Sequence, residues 1–218
     1  MDYRTQFLKM CVENHIFRFG KFTLKSGRIS PYFFNAGLFS NGELLNRLSS
    51  AYARLIVENF SSPFMLYGPA YKGIPLAAAT SMQLAQNHQL NVPYAFNRKE
   101  TKDHGEGGRT VGAELNGKVL IVDDVITAGT SVHESIEIIS ACGAEPGAVV
   151  IALDRQETVD GEPLSAIQKI ERQHGIPVLA LLKLEDLIEY LQTDPSFWKH
   201  HREIQQYREA YGLTPETG

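Results

Sequence analysis

Apolar positions recur along this 218-residue chain with two periods, and the switching between them predicts alternating helices and strands. Phe7, Leu8, Cys11, Val12 and Ile16 fall at helical spacing, so residues 2–18 read as an amphipathic helix with its stripe turned to a core. Residues 20–27 (GKFTLKSG) and 29–35 (ISPYFFN) read as short extended pieces parted by turn residues. Ser40 and Glu43 make an S-x-x-E capping box before a helix running to about residue 60, with Leu44, Leu45, Leu48, Tyr52, Leu55 and Ile56 buried. Strands are then expected at 64–67, 93–97, 119–122, 148–153 and 178–182, and helices at about 74–87, 131–143 and 164–174. Helices at about 186–192 and 197–211 finish the chain as packing elements, with Trp198 anchoring the end against the body.

This order predicts an α/β fold: a mostly parallel sheet flanked by helices on both faces, under an N-terminal hood covering the strand ends. The length suits one domain over 1–218, divided into the hood at about 1–40, a ligand-binding core at about 60–183 and C-terminal helices at about 184–218. Hydrophobic residues make up 43% of the chain, yet no apolar run approaches the roughly 18 residues that span a bilayer, so no membrane segment is expected. The first ten residues mix acids and bases and lack an apolar signal core, which points to a cytoplasmic location. A net charge of −4 gives no general reason to bind nucleic acid, so any basic patch must be local.

Cys11 and Cys142 lie far apart on apolar helical faces and read as buried thiols, neither disulfide-bonded nor metal-bound. His200 and His201 read as exposed side chains. His15, His88, His133 and His174 lack partners at ligand spacing, and no chemistry is assigned to them.

Candidate chemistry concentrates in residues 119–135, VLIVDDVITAGTSVHES. A β-branched strand ends there in Asp123 and Asp124, whose side chains must point to opposite faces. Thr127, Ala128, Gly129, Thr130 and Ser131 let the backbone turn tightly, and Ser131 with Glu134 predicts a capping box opening the next helix. Carboxylates, a hydroxyl-rich turn and a helix N-terminus together suit a phosphorylated ribose, the acids taking the diol and the amides the phosphate. Neither G-x-G-x-x-G nor G-x-x-x-x-G-K-[ST] is present, which argues against a dinucleotide fold or a P-loop NTPase. The plainer alternative is a strand-to-helix turn with solvated acids.

Four further stretches attract notice. Gly68 and Gly73 bracket a turn carrying Tyr71 and Lys72. Arg98, Lys99, Lys102, His104 and Arg109 crowd a glycine-rich segment without hydrophobic periodicity, which reads as a mobile cationic lid or else as a charged, solvated hairpin. Phe33 and Phe34 are adjacent, so one ring must face away from the core that the other joins. Arg155 lies just past a strand end, where its fork suits a ligand carboxylate or a salt bridge to Asp154 or Glu157. Lys25, alone on a loop, reads as solvated surface.

The 119–131 stretch resembles the phosphoribosyl diphosphate (PRPP) motif of type I phosphoribosyltransferases. Its wording, VLIVDDVITAGTS, together with the hood sequence SPYFFNAGLFS, looks most like the orotate phosphoribosyltransferases. The resemblance covers nearly the whole chain. It implies reversible transfer of ribose 5-phosphate from PRPP to N1 of orotate, giving orotidine 5′-phosphate and diphosphate in pyrimidine synthesis. PRPP would then contact Lys25, Tyr71, Lys72, Arg98, Lys99, Lys102, His104, Asp123, Asp124, Val125, Ile126, Thr127, Ala128, Gly129, Thr130 and Ser131. The resemblance further implies a cis peptide between Ala70 and Tyr71, and catalytic roles for Lys102, His104, Asp123 and Asp124. Orotate would meet Phe33, Phe34, Thr127 and Arg155.

Mg²⁺ is implied as a passenger on PRPP with no direct protein ligand, at most bridged by water to Asp123 or Asp124. Lys102 and His104 are implied to reach a neighbouring subunit's site, hence a homodimer with shared sites. Two rivals remain: a phosphoribosyltransferase for another nucleobase, against which the hood and Arg155 argue, and a non-catalytic PRPP-fold sensor, which has no need of the cationic lid.

Overall fold

The protein is described here by a computed structural model covering residues 2–24, 26–61, 63–102, 108–159 and 162–213. Helix α1 (Tyr3–Glu13) is capped by Asp2, whose carboxylate accepts from the Arg4 and Thr5 amides. It stops five residues short of the predicted end. The chain leaves it at Asn14 and passes through His15 at φ 55°, a left-handed conformation that His tolerates better than most residues. Ile16 is buried, as its place in the stripe requires, but it belongs to the turn into strand β1 (Phe17–Thr23). That strand pairs antiparallel with β2 (Ile29–Phe34), and the two form the hood.

Helix α2 (Gly42–Asn59) starts one residue later than the capping box predicts. Its cap is Asn41, whose Oδ1 accepts from the Leu44 amide at 2.9 Å, in place of Ser40. Asn and Ser are near-equal caps, so the sequence alone did not separate them.

The remaining strands are β3 (Met65–Gly68), β4 (Tyr94–Lys102), β5 (Gly108–Gly112), β6 (Lys118–Val122), β7 (Glu145–Asp154) and β8 (Val178–Lys183). They form one sheet in the order β5-β4-β3-β6-β7-β8, parallel throughout except at the β4–β5 edge. Strand β6 lies inside, between β3 and β7. Its side chains alternate between two cores. Leu120 and Val122 face the core built with α1, α2, α3 (Gly73–His88), α6 (Leu184–Gln192) and α7 (Trp198–Tyr211). Val119 and Ile121 face the core built with α4 (Thr130–Ala141) and α5 (Ala166–His174).

Three expectations about the periphery need correction. Of the two readings of the basic segment, its described residues take the hairpin, as the arms β4 and β5, but the strand end was set too early: β4 runs to Lys102, five residues past the predicted end. Backbone pairing across a hairpin asks for no hydrophobic alternation, which is the signal on which the shorter strand rested. Trp198 is 56% exposed, and the buried Ile204 and Tyr207 anchor α7 instead. Cys142 is exposed at the C-terminal end of α4, whereas Cys11 is buried and its thiol pKa is raised by desolvation.

The histidines differ from expectation too. His133 on α4 and His174 on α5 meet, with 2.7 Å between Nδ1 and Nε2. A separation of 41 residues hides that contact in the sequence. His200 is half-buried and stacks on Phe19 with centroids 4.9 Å apart, and His201, also half-buried, lies 3.0 Å from the Gln192 amide. Among the described residues no three His, Cys, Asp or Glu side chains gather as a metal cluster, and no helix is long and apolar enough to cross a membrane.

Gly73 opens α3 where the loop after β3 crosses the end of β6. A Cβ there would lie 2.5 Å from Pro69 Cδ, 2.8 Å from the Gly68 carbonyl carbon and 2.9 Å from the Val122 oxygen. Two of those neighbours are backbone and do not give way cheaply. Gly73→Ala is therefore expected to lower stability by roughly 1–3 kcal/mol, read as a lower urea midpoint at unchanged slope. An unchanged midpoint would show that the loop has room the packing denies.

Candidate active site

The chain does not leave the sheet where β6 ends. The Asp123 amide donates to the Val150 carbonyl at 3.0 Å, the Ala152 amide donates to the Asp124 carbonyl at 2.8 Å, and Val125 still bridges to Leu153. Both carboxylates are thereby held in buried positions, and burial obliges them to find partners. They turn apart, as their adjacency on an extended chain predicts. Asp123 accepts from its neighbour's amide at 2.9 Å and from the Ser131 hydroxyl at 3.1 Å, while Tyr52 donates to its carbonyl at 2.8 Å. Asp124 accepts from the Val125 amide at 2.8 Å and from Lys72 Nζ at 2.6 Å.

Desolvation, reinforced by the charge of Asp124, raises the Asp123 carboxyl to a pKa of about 6, and the bonds from the Asp124 amide and Ser131 only partly oppose it. Lys72 is 64% exposed against 8% for Asp124, so solvent screens this pair and it counts for position more than for stability.

Helix α4 opens without a side-chain cap. Gly129 occupies the N-cap position at φ 79°, and the predicted Ser131–Glu134 box does not form because the Ser131 hydroxyl is turned to Asp123. The first-turn amides thus lack a capping side chain and carry the positive end of the helix dipole, the arrangement that receives phosphate. Thr127, Ala128 and Thr130 are exposed beside them.

Across the site, the loop after β3 carries a cis peptide between Ala70 and Tyr71, as the resemblance implied. The Ala70 amide donates to Asn97 Oδ1 of β4 at 2.7 Å, and Lys99 Nζ sits 4.8 Å from the centre of the exposed Tyr71 ring. Lys72, Lys99 and Asp124 are thus brought to one face, at the C-terminal ends of β3 and β6. Arg98 is half-buried on the same strand as Lys99. Lys25 and His104 lie outside the described residues, as does the side chain of Lys102.

The hood separates its two phenylalanines. Phe34 is 6% exposed, edge-on to Phe17 with centroids 5.1 Å apart, whereas Phe33 is 37% exposed beside Phe22. Arg155 follows β7, one strand over from the acids, beneath the hood. Its Nη2 donates to Glu157 Oε1 at 2.6 Å and to Ser30 Oγ at 3.2 Å, and its guanidinium lies 4.4 Å from the centre of the Tyr32 ring. The Glu157 pairing is one of the two that the sequence allowed, but it is largely buried and not a surface bridge. Sequence reading missed Ser30, Tyr32, Tyr52 and Asn97 as supports. Each lies 27 or more residues from its partner, beyond any local signal.

Comparison with known proteins agrees with this geometry. The phosphoribosyl transferase domain family matches residues 40–172, more than half of the chain. The chain is 56% identical over 212 residues to the orotate phosphoribosyltransferase of Marinobacter nauticus, covering 97% of this chain and 99% of that one. It is 54% identical over 211 residues to the orotate phosphoribosyltransferase of Shewanella oneidensis, covering 97% and 98%. The crystal structure of the Francisella tularensis orotate phosphoribosyltransferase superposes with a TM-score of 0.86 at 44% identity, over 95% of this chain and 99% of that one. A buried acid pair, an open helix N-terminus and a basic loop at neighbouring strand ends, in a chain this close to such relatives over nearly its whole length, make it a member of the orotate phosphoribosyltransferase family.

Proposed function

We propose that this chain transfers ribose 5-phosphate from PRPP to N1 of orotate, with the site residues acting as follows. The observation that carries the reading is the junction after β6, where Asp123 is tied to the start of α4 and Asp124 to the loop after β3. A sugar phosphate bound there has amides on its phosphate side and carboxylates on its hydroxyl side. In the reaction the C1–diphosphate bond breaks as the C1–N1 bond forms, and positive charge builds on the ribose while negative charge departs.

The amides of residues 127–131 hold the 5-phosphate and so fix the sugar, with the Thr127 and Thr130 hydroxyls alongside. Asp123 and Asp124 take the ribose hydroxyls and offset the charge growing on the ring. The Lys72–Asp124 pair is the resting arrangement. PRPP brings a diphosphate for the lysine and a diol for the carboxylate, so the pair exchanges partners on binding. Tyr71, Arg98 and Lys99 flank the diphosphate, Lys25 joins it from the hood, and Lys102 and His104 neutralise it as it leaves. Phe33 supplies the exposed ring beside the base while the buried Phe34 supports the hood beneath it, and Arg155 takes the carboxylate of orotate. The ring nitrogen of orotate is the nucleophile, so none is required of the protein.

The donor set suits Mg²⁺ that arrives on its substrate. Two carboxylates whose oxygens already accept from Ser131, Val125 and Lys72 do not form a cage, whereas an ion keeping phosphate oxygens and waters needs only a bridged contact. When bound, the ion supplies charge neutralisation to the diphosphate. We further propose that hood, core and C-terminal helices work as one unit, in a homodimer whose β4–β5 hairpins reach the partner's site. Two thiols that do not pair suit a reducing cytoplasm.

Five measurements test these roles. Orotate absorbance should fall on mixing protein, PRPP and Mg²⁺; constant absorbance with folded protein would reject the activity. Lys102→Ala should reduce turnover on the order of 100-fold while changing PRPP affinity only a few-fold, and equal losses would remove it from the departing-group step. Asp123 is ionised above about pH 6 in the free protein and protonated below, so kcat/KM for PRPP should decline as pH drops through that value. Ser131→Ala removes a bond that favours the carboxylate and should move this limb to higher pH, which a limb due to PRPP's own phosphates would not do. Mixing the impaired Lys102→Ala and Asp124→Asn proteins should raise activity above that of either alone; no recovery would mean that each site comes from one chain.

A further inference from the structure

We infer that Glu157 is a positioning residue for orotate selection, holding the Arg155 guanidinium in place and linking it to the C-terminal helix. This rests on the reading above, in which Arg155 takes the substrate carboxylate.

Three separate parts of the chain converge on the Glu157 carboxylate. Oε1 accepts from Arg155 Nη2 at 2.6 Å and from the Tyr32 hydroxyl of the hood at 3.1 Å, while Oε2 accepts from the Tyr207 hydroxyl of α7 at 3.2 Å. The backbone around it is fixed as well. Glu157 bridges to Gly212, the Thr158 amide donates to the Tyr211 carbonyl at 2.9 Å, and the Leu213 amide donates to the Gln156 carbonyl at 3.0 Å. Arg28 of the hood donates to the Thr158 carbonyl at 2.8 Å while lying 4.7 Å from the centre of the Tyr211 ring.

The consequence follows from burial. Arg155 and Glu157 side chains are only 15% and 12% exposed, so neither is well solvated and each depends on the other for charge balance. A carboxylate gripped on both oxygens by phenols does not swing to follow its arginine; the arginine is held by it. The Ser30 and Glu157 bonds set the plane of the guanidinium, and Tyr32 backs its face. A planar fork recognises a planar carboxylate only in the right plane, so disorder here costs affinity for that carboxylate. PRPP, held by residues 68–73 and 123–131, gains nothing from this network. Its loss should therefore appear in one substrate and not in the other.

The experiment is Glu157→Gln in the full-length protein, with KM for orotate and PRPP, kcat, and inhibition by uracil, which has the same ring without the carboxylate. The amide keeps the size but removes the charge and one acceptor. KM for orotate should rise about tenfold, with KM for PRPP and Ki for uracil within about twofold of wild type. Tyr207→Phe, which removes only the Oε2 bond, should raise KM for orotate about threefold and keeps the test usable should the glutamine variant not fold. Equal changes in both KM values, or a lower melting temperature with neither KM altered, would reduce Glu157 to a structural role and overturn the inference. A lower KM for orotate would also overturn it, since Glu157 would then be competing with the substrate. An inactive wild-type protein would instead sink the reading of the whole site, a result distinct from all of these.

Discussion

Two adjacent carboxylates buried at the end of an interior parallel strand are the constraint around which this protein is arranged. Asp123 and Asp124 are kept in the sheet by backbone bonds to β7 that continue past the last residue of β6. They cannot reach bulk water by fraying. Partners must come to them, and they come from two different directions. The Asp123 side draws in the first turn of α4, and the Asp124 side draws in Lys72 from the loop after β3. The elevated pKa of Asp123 shows which effect dominates: burial and a like charge outweigh the bonds it accepts.

The same constraint explains why α4 is left uncapped. A serine at the second helical position ordinarily serves the helix terminus, but here it serves a buried acid. Gly129 makes that possible by taking a left-handed conformation at the N-cap position, and the amides it leaves uncapped become available to an anion. On the opposite side, Gly73 lets the basic loop lie directly against the end of β6. Acid, amide and ammonium groups end up together because backbone, not flexible side chain, brings them there.

Sheet alternation governs what happens further out. One core gathers the hood, α1, α2 and the C-terminal helices, and the other gathers α4 and α5. The hood and α7 therefore lie on the same side of the sheet, and both close on the segment following β7. That places Ser30, Tyr32, Arg155, Glu157 and Tyr207 in one buried network, although 177 residues separate its ends (30 to 207). The network around Arg155 is thus supported by both extremities of the chain, while the uncapped start of α4 belongs to its middle.

The sequence by itself determined the α/β class, the order of the helices and of every strand but β5, and the small-residue turn at 127–131, because periods of two and near four and runs of small residues are local properties. It also located Asp123, Asp124, Lys72 and Arg155, since strand ends in a parallel sheet can be read from where apolar runs stop. Tertiary structure alone decided what those groups touch. Whether Asn41 or Ser40 caps α2, whether Ser131 serves its helix or an acid, and whether β4 continues to Lys102 depended on competing bonds of similar strength or on a paired strand. The meeting of His133 with His174 and the convergence on Glu157 depended on contacts between residues distant in sequence. Such contacts leave no periodic trace, because their geometry is fixed only when the layers pack.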